Sequence, residues 1–131
     1  MCKHVRKAWV VFSGKTDIPL LWTLKKGFRH CFIILEDDSN WITLDPLCSS
    51  TEILTIKKEA HTLSLPQWFL SQGHIIIPAK FFENRKVYLP FSLLTCVGTI
   101  KNILGINRLL IQTPHQLFKY INHHNKENQN G

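Results

Sequence analysis

Leu89-Pro90-Phe91-Ser92-Leu93-Leu94-Thr95-Cys96-Val97-Gly98-Thr99-Ile100-Lys101-Asn102-Ile103-Leu104-Gly105-Ile106 is the stretch on which the reading of this chain turns. Pro90 and Ser92 or Thr95 are helix-start signals, and Gly105 is a natural stop. Between them Val97, Ile100, Ile103 and Leu104 recur at helical spacing, which predicts a helix with one buried face. Cys96 then falls in the first turn, where unsatisfied N–H groups and the positive end of the helix dipole favour a thiolate over a thiol. A cysteine so placed is either a nucleophile or a small apolar residue packed at a helix start. A nucleophile also needs a base, and the rest of the chain must supply it.

The other segments frame that helix. Ala8-Trp9-Val10-Val11-Phe12-Ser13 reads as a buried strand, broken by Gly14-Lys15-Thr16-Asp17. Ile18 to Lys26 reads as a short helix, capped by Thr16 or Asp17 and closed by Gly27. Phe28 to Leu35 and Trp41 to Leu44 are two β-rich runs joined by the acidic turn Glu36-Asp37-Asp38-Ser39-Asn40, a hairpin signature. Asp45-Pro46 should end the second run, because proline cannot continue a ladder. Thr51 to Ile56 predicts a further strand, and Ser64 caps a short helix over Leu65 to Leu70 that Gly73 stops. Ile75-Ile76-Ile77 is another buried strand, ended by Pro78, and Phe81 to Leu89 is ambiguous, with a strand around Lys86-Val87-Tyr88 as one reading. Thr113-Pro114-His115-Gln116 is a capping box with proline at the first helical position, opening a last helix through Leu117, Phe118 and Ile121. The expected fold is α+β, an antiparallel sheet packed against the cysteine-bearing helix. Residues 1–122 should form a single domain, and residues 123–131, without apolar side chains, a disordered C-terminal tail.

Composition narrows the function classes. The chain has 131 residues, 44% hydrophobic and 19% charged, the make-up of one soluble domain with a real core. No apolar run approaches the length of a bilayer, and the opening Met1-Cys2-Lys3-His4-Val5-Arg6-Lys7 runs straight into a strand, so a cytoplasmic protein without signal peptide is expected. The net charge of +7 comes from dispersed lysines and arginines with no nucleic-acid module among them, so specific nucleic-acid binding is not expected. The four cysteines show no zinc spacing, and Cys2/His4 and His123/His124 are only two-ligand fragments. No metal or organic cofactor is expected.

Seven histidines compete for Cys96. His4, His123 and His124 lie near the chain ends, His61 follows a charged turn, and His115 is expected to face solvent from the last helix. His74 opens a strand, where a structural hydrogen bond is the plainer use. His30 instead begins the apolar strand Cys31-Phe32-Ile33-Ile34-Leu35, and a histidine on a strand facing a cysteine at a helix start is what a thiolate–imidazolium pair requires. Asp45, on the neighbouring strand, is the acidic candidate to orient the ring, with Thr43 and Asn40 as polar alternatives. The Cys96 N–H is one natural oxyanion donor, and Ser13, Trp22 or a backbone group near Gly14 are candidates for a second.

The order Gly27-Phe28-Arg29-His30, Trp41 to Asp45-Pro46, Thr95-Cys96-Val97, Ile100-Lys101, Leu104-Gly105-Ile106 and Thr113 to Leu117 resembles the circularly permuted papain-like group of the NlpC/P60 superfamily. In that group, which includes the lecithin–retinol acyltransferase relatives, the histidine precedes the cysteine, and its small members include bacterial and phage-associated proteins. The resemblance covers residues 8 to 121 and implies Cys96 as nucleophile, His30 as general base and Asp45 as the orienting residue. It implies a thiol hydrolase or acyl transferase acting on an amide, isopeptide or ester carbonyl of a peptide, cell-wall or acyl-lipid substrate. The chain lacks the Asn-Cys-Glu-His-Phe sequence of the acyltransferase branch. The alternative is a catalytically inactive papain-like domain that serves as a binding or phage-associated accessory protein.

Overall fold

A computed structural model describes residues 7–14, 27–46, 51–60, 64–81, 95–108 and 110–129. The helix expected over residues 18–26, the ambiguous segment 82–89 and residues 89–94 of the cysteine stretch lie outside these residues, as do Cys2, His4, Trp22, Cys48 and His61.

Among the described residues, five strands form one antiparallel sheet: β1 (Lys7–Ser13), β2 (His30–Glu36), β3 (Asn40–Pro46), β4 (Thr51–Lys57) and β5 (Ile75–Ala79), in spatial order β4-β3-β2-β1-β5. The described residues also form three α-helices: α1 (Leu65–Ser71), α2 (Thr95–Leu104) and α3 (Pro114–Gln129). The fold is therefore α+β, with the cysteine-bearing helix against the sheet. β1 and β2 pair in register from Lys7↔Glu36 to Ser13↔His30. Their interiors are continuous apolar runs because both faces of the sheet are covered. On one face Val10, Phe12, Cys31 and Ile33 meet Cys96, Val97, Ile100 and Leu104 of α2 and Leu117 and Ile121 of α3. On the other, Val11, Phe32, Ile34 and Trp41 meet Leu65 and Phe69 of α1.

Local chemistry sets the element ends. Ser64 caps α1, its hydroxyl accepting from the Gln67 N–H at 3.4 Å. The capping box of α3 forms as expected from its sequence: Thr113 Oγ1 accepts from the Gln116 N–H at 3.3 Å, and Gln116 Oε1 accepts from the Thr113 N–H at 3.1 Å. α2 closes on Gly105, at φ 80°, with the N–H groups of Gly105 and Ile106 both on the Lys101 carbonyl at 2.9 Å. At the site end of the sheet the backbones of Gly14 and Gly27 cross so closely that a Cβ on Gly14 would stand 3.1 Å from the Gly27 nitrogen. Phe28, just beyond, is locked among Phe12, His115 and Phe118, at ring-centroid distances of 5.5, 4.9 and 5.0 Å. This cluster fixes where β2 begins.

Three expectations need correction. Pro78 does not end its strand: β5 runs through it to Ala79, with Pro78 opposite Trp9. β5 is the sheet edge, and a proline there costs no ladder bond on its outer side. His115 is half-buried against Phe28 rather than turned to solvent, because Pro114 starts the helix with that side toward the ring cluster. The tail is not disordered from His123: α3 continues to Gln129. Its last turns are held by the His123–Glu127 and His124–Glu127 pairs at 3.2 and 3.5 Å, and Asn125 Nδ2 donates to the Pro78 carbonyl at 2.8 Å.

Lys101 is fully buried in α2, a residue type almost never found so without partners. Its Nζ donates to the carbonyls of Ile111 at 2.6 Å and Arg108 at 3.2 Å, pinning the connection between α2 and α3. Lys101→Met keeps the stem but strands both carbonyls, so urea denaturation should show a loss of about 2–4 kcal/mol. A smaller loss would mean that water replaces the ammonium there.

Candidate active site

α2 is described from Thr95 to Leu104, so Cys96 is the second residue of its described part. The side chain is 5% exposed and packs into the core between α2 and the start of β2.

The partners converge because the sheet comes apart at this end. The β2–β3 ladder runs from Glu36↔Trp41 only as far as Ile33↔Leu44. Extended two steps further, it would set Cys31 against Pro46, which has no N–H to give. β3 instead keeps its pairing with β4 out to Pro46↔Thr51. In the space so opened, His30 Nε2 and Asp45 Oδ1 meet at 2.6 Å, the imidazole N–H donating to the carboxylate. Cys96 interacts with His30 as well, the two groups favouring each other's charged forms.

His30 and Asp45 lie on the same face of the sheet as Phe32 and Thr43, whereas α2 packs on the other. His30, the first residue of β2, stands at the rim, where its ring reaches both the aspartate and the sulfur. Its side chain is 20% exposed and that of Asp45 is 34% exposed, so one side of the site is open to a substrate.

The electrostatics favour a charged pair. Burial works against charge on His30, but the hydrogen bond to Asp45, then the hydrogen bond and charge of Cys96, outweigh it and raise the imidazolium pKa to about 9. A hydrogen bond from the Cys31 side chain, then the hydrogen bond and charge of His30, overcome burial at Cys96 and bring it down to about 5. Between these values the pair is thiolate and imidazolium.

Of the alternatives to Asp45, Thr43 is buried further along the strand, opposite Ile34, and Asn40 stands at the far end of β3, opposite Lys57. Neither is the histidine's partner; Asp45 is. Ser13 is opposite His30 across the β1–β2 ladder, and the Gly14 carbonyl accepts from Arg29 at 3.4 Å. His74 lies against Phe69 and Phe32 on the other face, and His123 and His124 on the outer turns of α3. The residue missed in the sequence is Cys31, buried in the same core cluster as Cys96 and helping to lower its pKa. Nothing local marks it, since a cysteine inside an apolar strand reads as core. Among the described residues, no group of three or more His, Cys, Asp or Glu side chains is arranged to hold a metal ion, and no helix is long and apolar enough to cross a membrane.

Compared with known proteins, the chain matches no family model, and no curated protein or solved structure matches it significantly.

Asp45→Asn removes the charge behind the imidazolium while keeping size, so the thiolate loses support. The pH midpoint for alkylation of Cys96 by iodoacetamide, about 5 in the unaltered protein, should rise. An unchanged midpoint in a folded variant would reduce Asp45 to a turn residue before Pro46.

Proposed function

We propose that this protein is a cysteine hydrolase or acyl transferase of the permuted papain-like kind, attacking an amide, isopeptide or ester carbonyl. The observation that carries the reading is the chain of contacts Asp45–His30–Cys96 at a helix start, assembled from residues far apart in sequence. The order histidine, aspartate, cysteine along the chain supports the permuted arrangement. The substrate class is a peptide, cell-wall or acyl-lipid carbonyl compound.

The chemistry follows from the charge states. The Cys96 thiolate adds to the carbonyl carbon, and the oxygen takes up the negative charge facing the Cys96 N–H. The His30 imidazolium passes its proton to the leaving nitrogen or oxygen as that bond breaks, leaving a thioester on Cys96. Neutral His30 then takes a proton from water, or from another nucleophile, as it attacks the thioester and the thiolate departs. Water as acceptor gives hydrolysis; an amine or alcohol gives transfer. Throughout, Asp45 keeps the ring oriented and the imidazolium stabilised.

Incubation with p-nitrophenyl acetate, an activated ester, should leave an acetyl thioester on Cys96 detectable by mass spectrometry. Cys96→Ala should abolish it, and His30→Ala should slow nitrophenol release about 10²–10⁴-fold. Release should rise with pH as Cys96 loses its proton through about 5. With an amide or alkyl ester, whose leaving group must be protonated, acylation should instead fall as His30 loses its proton through about 9, because the general acid is gone. Acetylation that persists in Cys96→Ala would rule out this cysteine as the nucleophile.

A further inference from the structure

We propose that β4 is the surface through which this chain pairs with a second copy of itself, two β4 strands lying antiparallel across a two-fold axis at Leu54. The inference concerns assembly and does not depend on the chemistry proposed for Cys96.

The two edges of the sheet are built differently. β5 is five residues long, carries Pro78 within it, and has Asn125 of α3 donating to the Pro78 carbonyl at 2.8 Å. A short strand, a proline and a covering side chain are the usual means of blocking an edge. β4 has none of these. It is seven residues long without proline or glycine, and among the described residues no strand lies beyond it. Ile53 is 61% exposed and Leu54 49% exposed, and as consecutive residues they stand on opposite faces of the strand. The edge is therefore apolar on both faces at its centre.

The phase of the ladder tells which backbone groups are left over. The Lys58 N–H donates to the Ser39 carbonyl at 3.0 Å, which makes these opposite residues a hydrogen-bonded pair. Alternation from there, along the register from Asn40↔Lys57 to Pro46↔Thr51, turns the main chain of Glu52, Leu54 and Ile56 toward β3. Thr51, Ile53, Thr55 and Lys57 then point their N–H and carbonyl groups outward. That row fits an antiparallel copy of itself. With Leu54 on the axis, Ile53 exchanges both hydrogen bonds with the partner's Thr55, and Thr51 with the partner's Lys57. The two Leu54 residues meet at the close, non-hydrogen-bonded spacing of about 4.5 Å between Cα atoms. The antiparallel sense also sets the Glu52 end of each strand beside the Lys57 end of the other, whereas a parallel copy would stack like charges. Such a contact is isologous and closes at two copies. The competing reading is that Glu52 and Lys57 keep the edge solvated and the chain single.

The test is sedimentation equilibrium of the full chain under reducing conditions, over a concentration series up to about 1 mM, where even a weak pairing is populated. The unaltered protein should show a reversible monomer–dimer equilibrium. Thr55→Pro removes an outward N–H without costing a bond to β3, so it should stay folded by circular dichroism and become monomeric. Leu54→Lys and Leu54→Glu, at an exposed position, each set like charges across the axis and should weaken association about tenfold or more. Mixed in equal amounts, these two variants should pair with each other, because opposite charges then face across the axis. If Thr55→Pro does not fold, the two Leu54 variants carry the test alone. A chain that stays monomeric throughout the series overturns the proposal and leaves the edge to an extended segment of another protein. A dimer unaffected by either Leu54 substitution overturns it too, as does a mixture that associates no better than its components.

Discussion

A thiolate and an imidazolium can be held in a nearly dry interior only if each is hydrogen-bonded, because an unpaired buried charge neutralises itself instead. The end of β2 meets that demand. His30 is bonded to Asp45 through Nε2 and interacts with Cys96, which is buried in one core cluster with Cys31. Every other feature of this corner serves to keep those groups within reach. The Phe12–Phe28–Phe118 cluster anchors the chain just before His30, and the Gly14–Gly27 crossing lets the backbone enter the strand at the right place.

The sheet contributes by failing to pair. Had the β2–β3 ladder continued past Ile33↔Leu44, the backbone groups of Cys31 and Asp45 would be spent on each other's strands and the side chains held at fixed sheet spacing. Pro46 discourages that continuation, since it has no N–H to offer, and β3 follows β4 instead. On the opposite face of the sheet, α2 packs its apolar side against β1 and β2, with Cys96 in that cluster.

Stability around the site rests on unusual means at two points. Lys101 places an ammonium in the core and is tolerated because two carbonyls of the α2–α3 connection accept from it. The outer turns of α3 carry almost no apolar surface, yet they stay helical, with His123 and His124 against Glu127 and Asn125 donating to the Pro78 carbonyl. Both show polar side chains taking over where burial of apolar surface is not available.

Much of this was legible in the residues alone. Apolar, β-rich runs marked the strands and helical spacing marked α2, Ser64 and Thr113 marked two helix starts, and Gly105 marked a helix end. Cys96 at a helix start, His30 at a strand start and Asp45 across a hairpin could be singled out because each signal lies within a few neighbouring residues. The tail, Pro78 and His115 were misread for the complementary reason: their settings depend on which strand is the edge and on which rings α3 meets. Cys31 and Lys101 were invisible, one lost in an apolar run and the other indistinguishable from a solvent-facing lysine. Strand alternation alone even argues that His30 and Cys31 part company onto opposite faces. Only the tertiary structure, by packing α2 against β1 and β2, sets Cys96 close enough to be influenced by both.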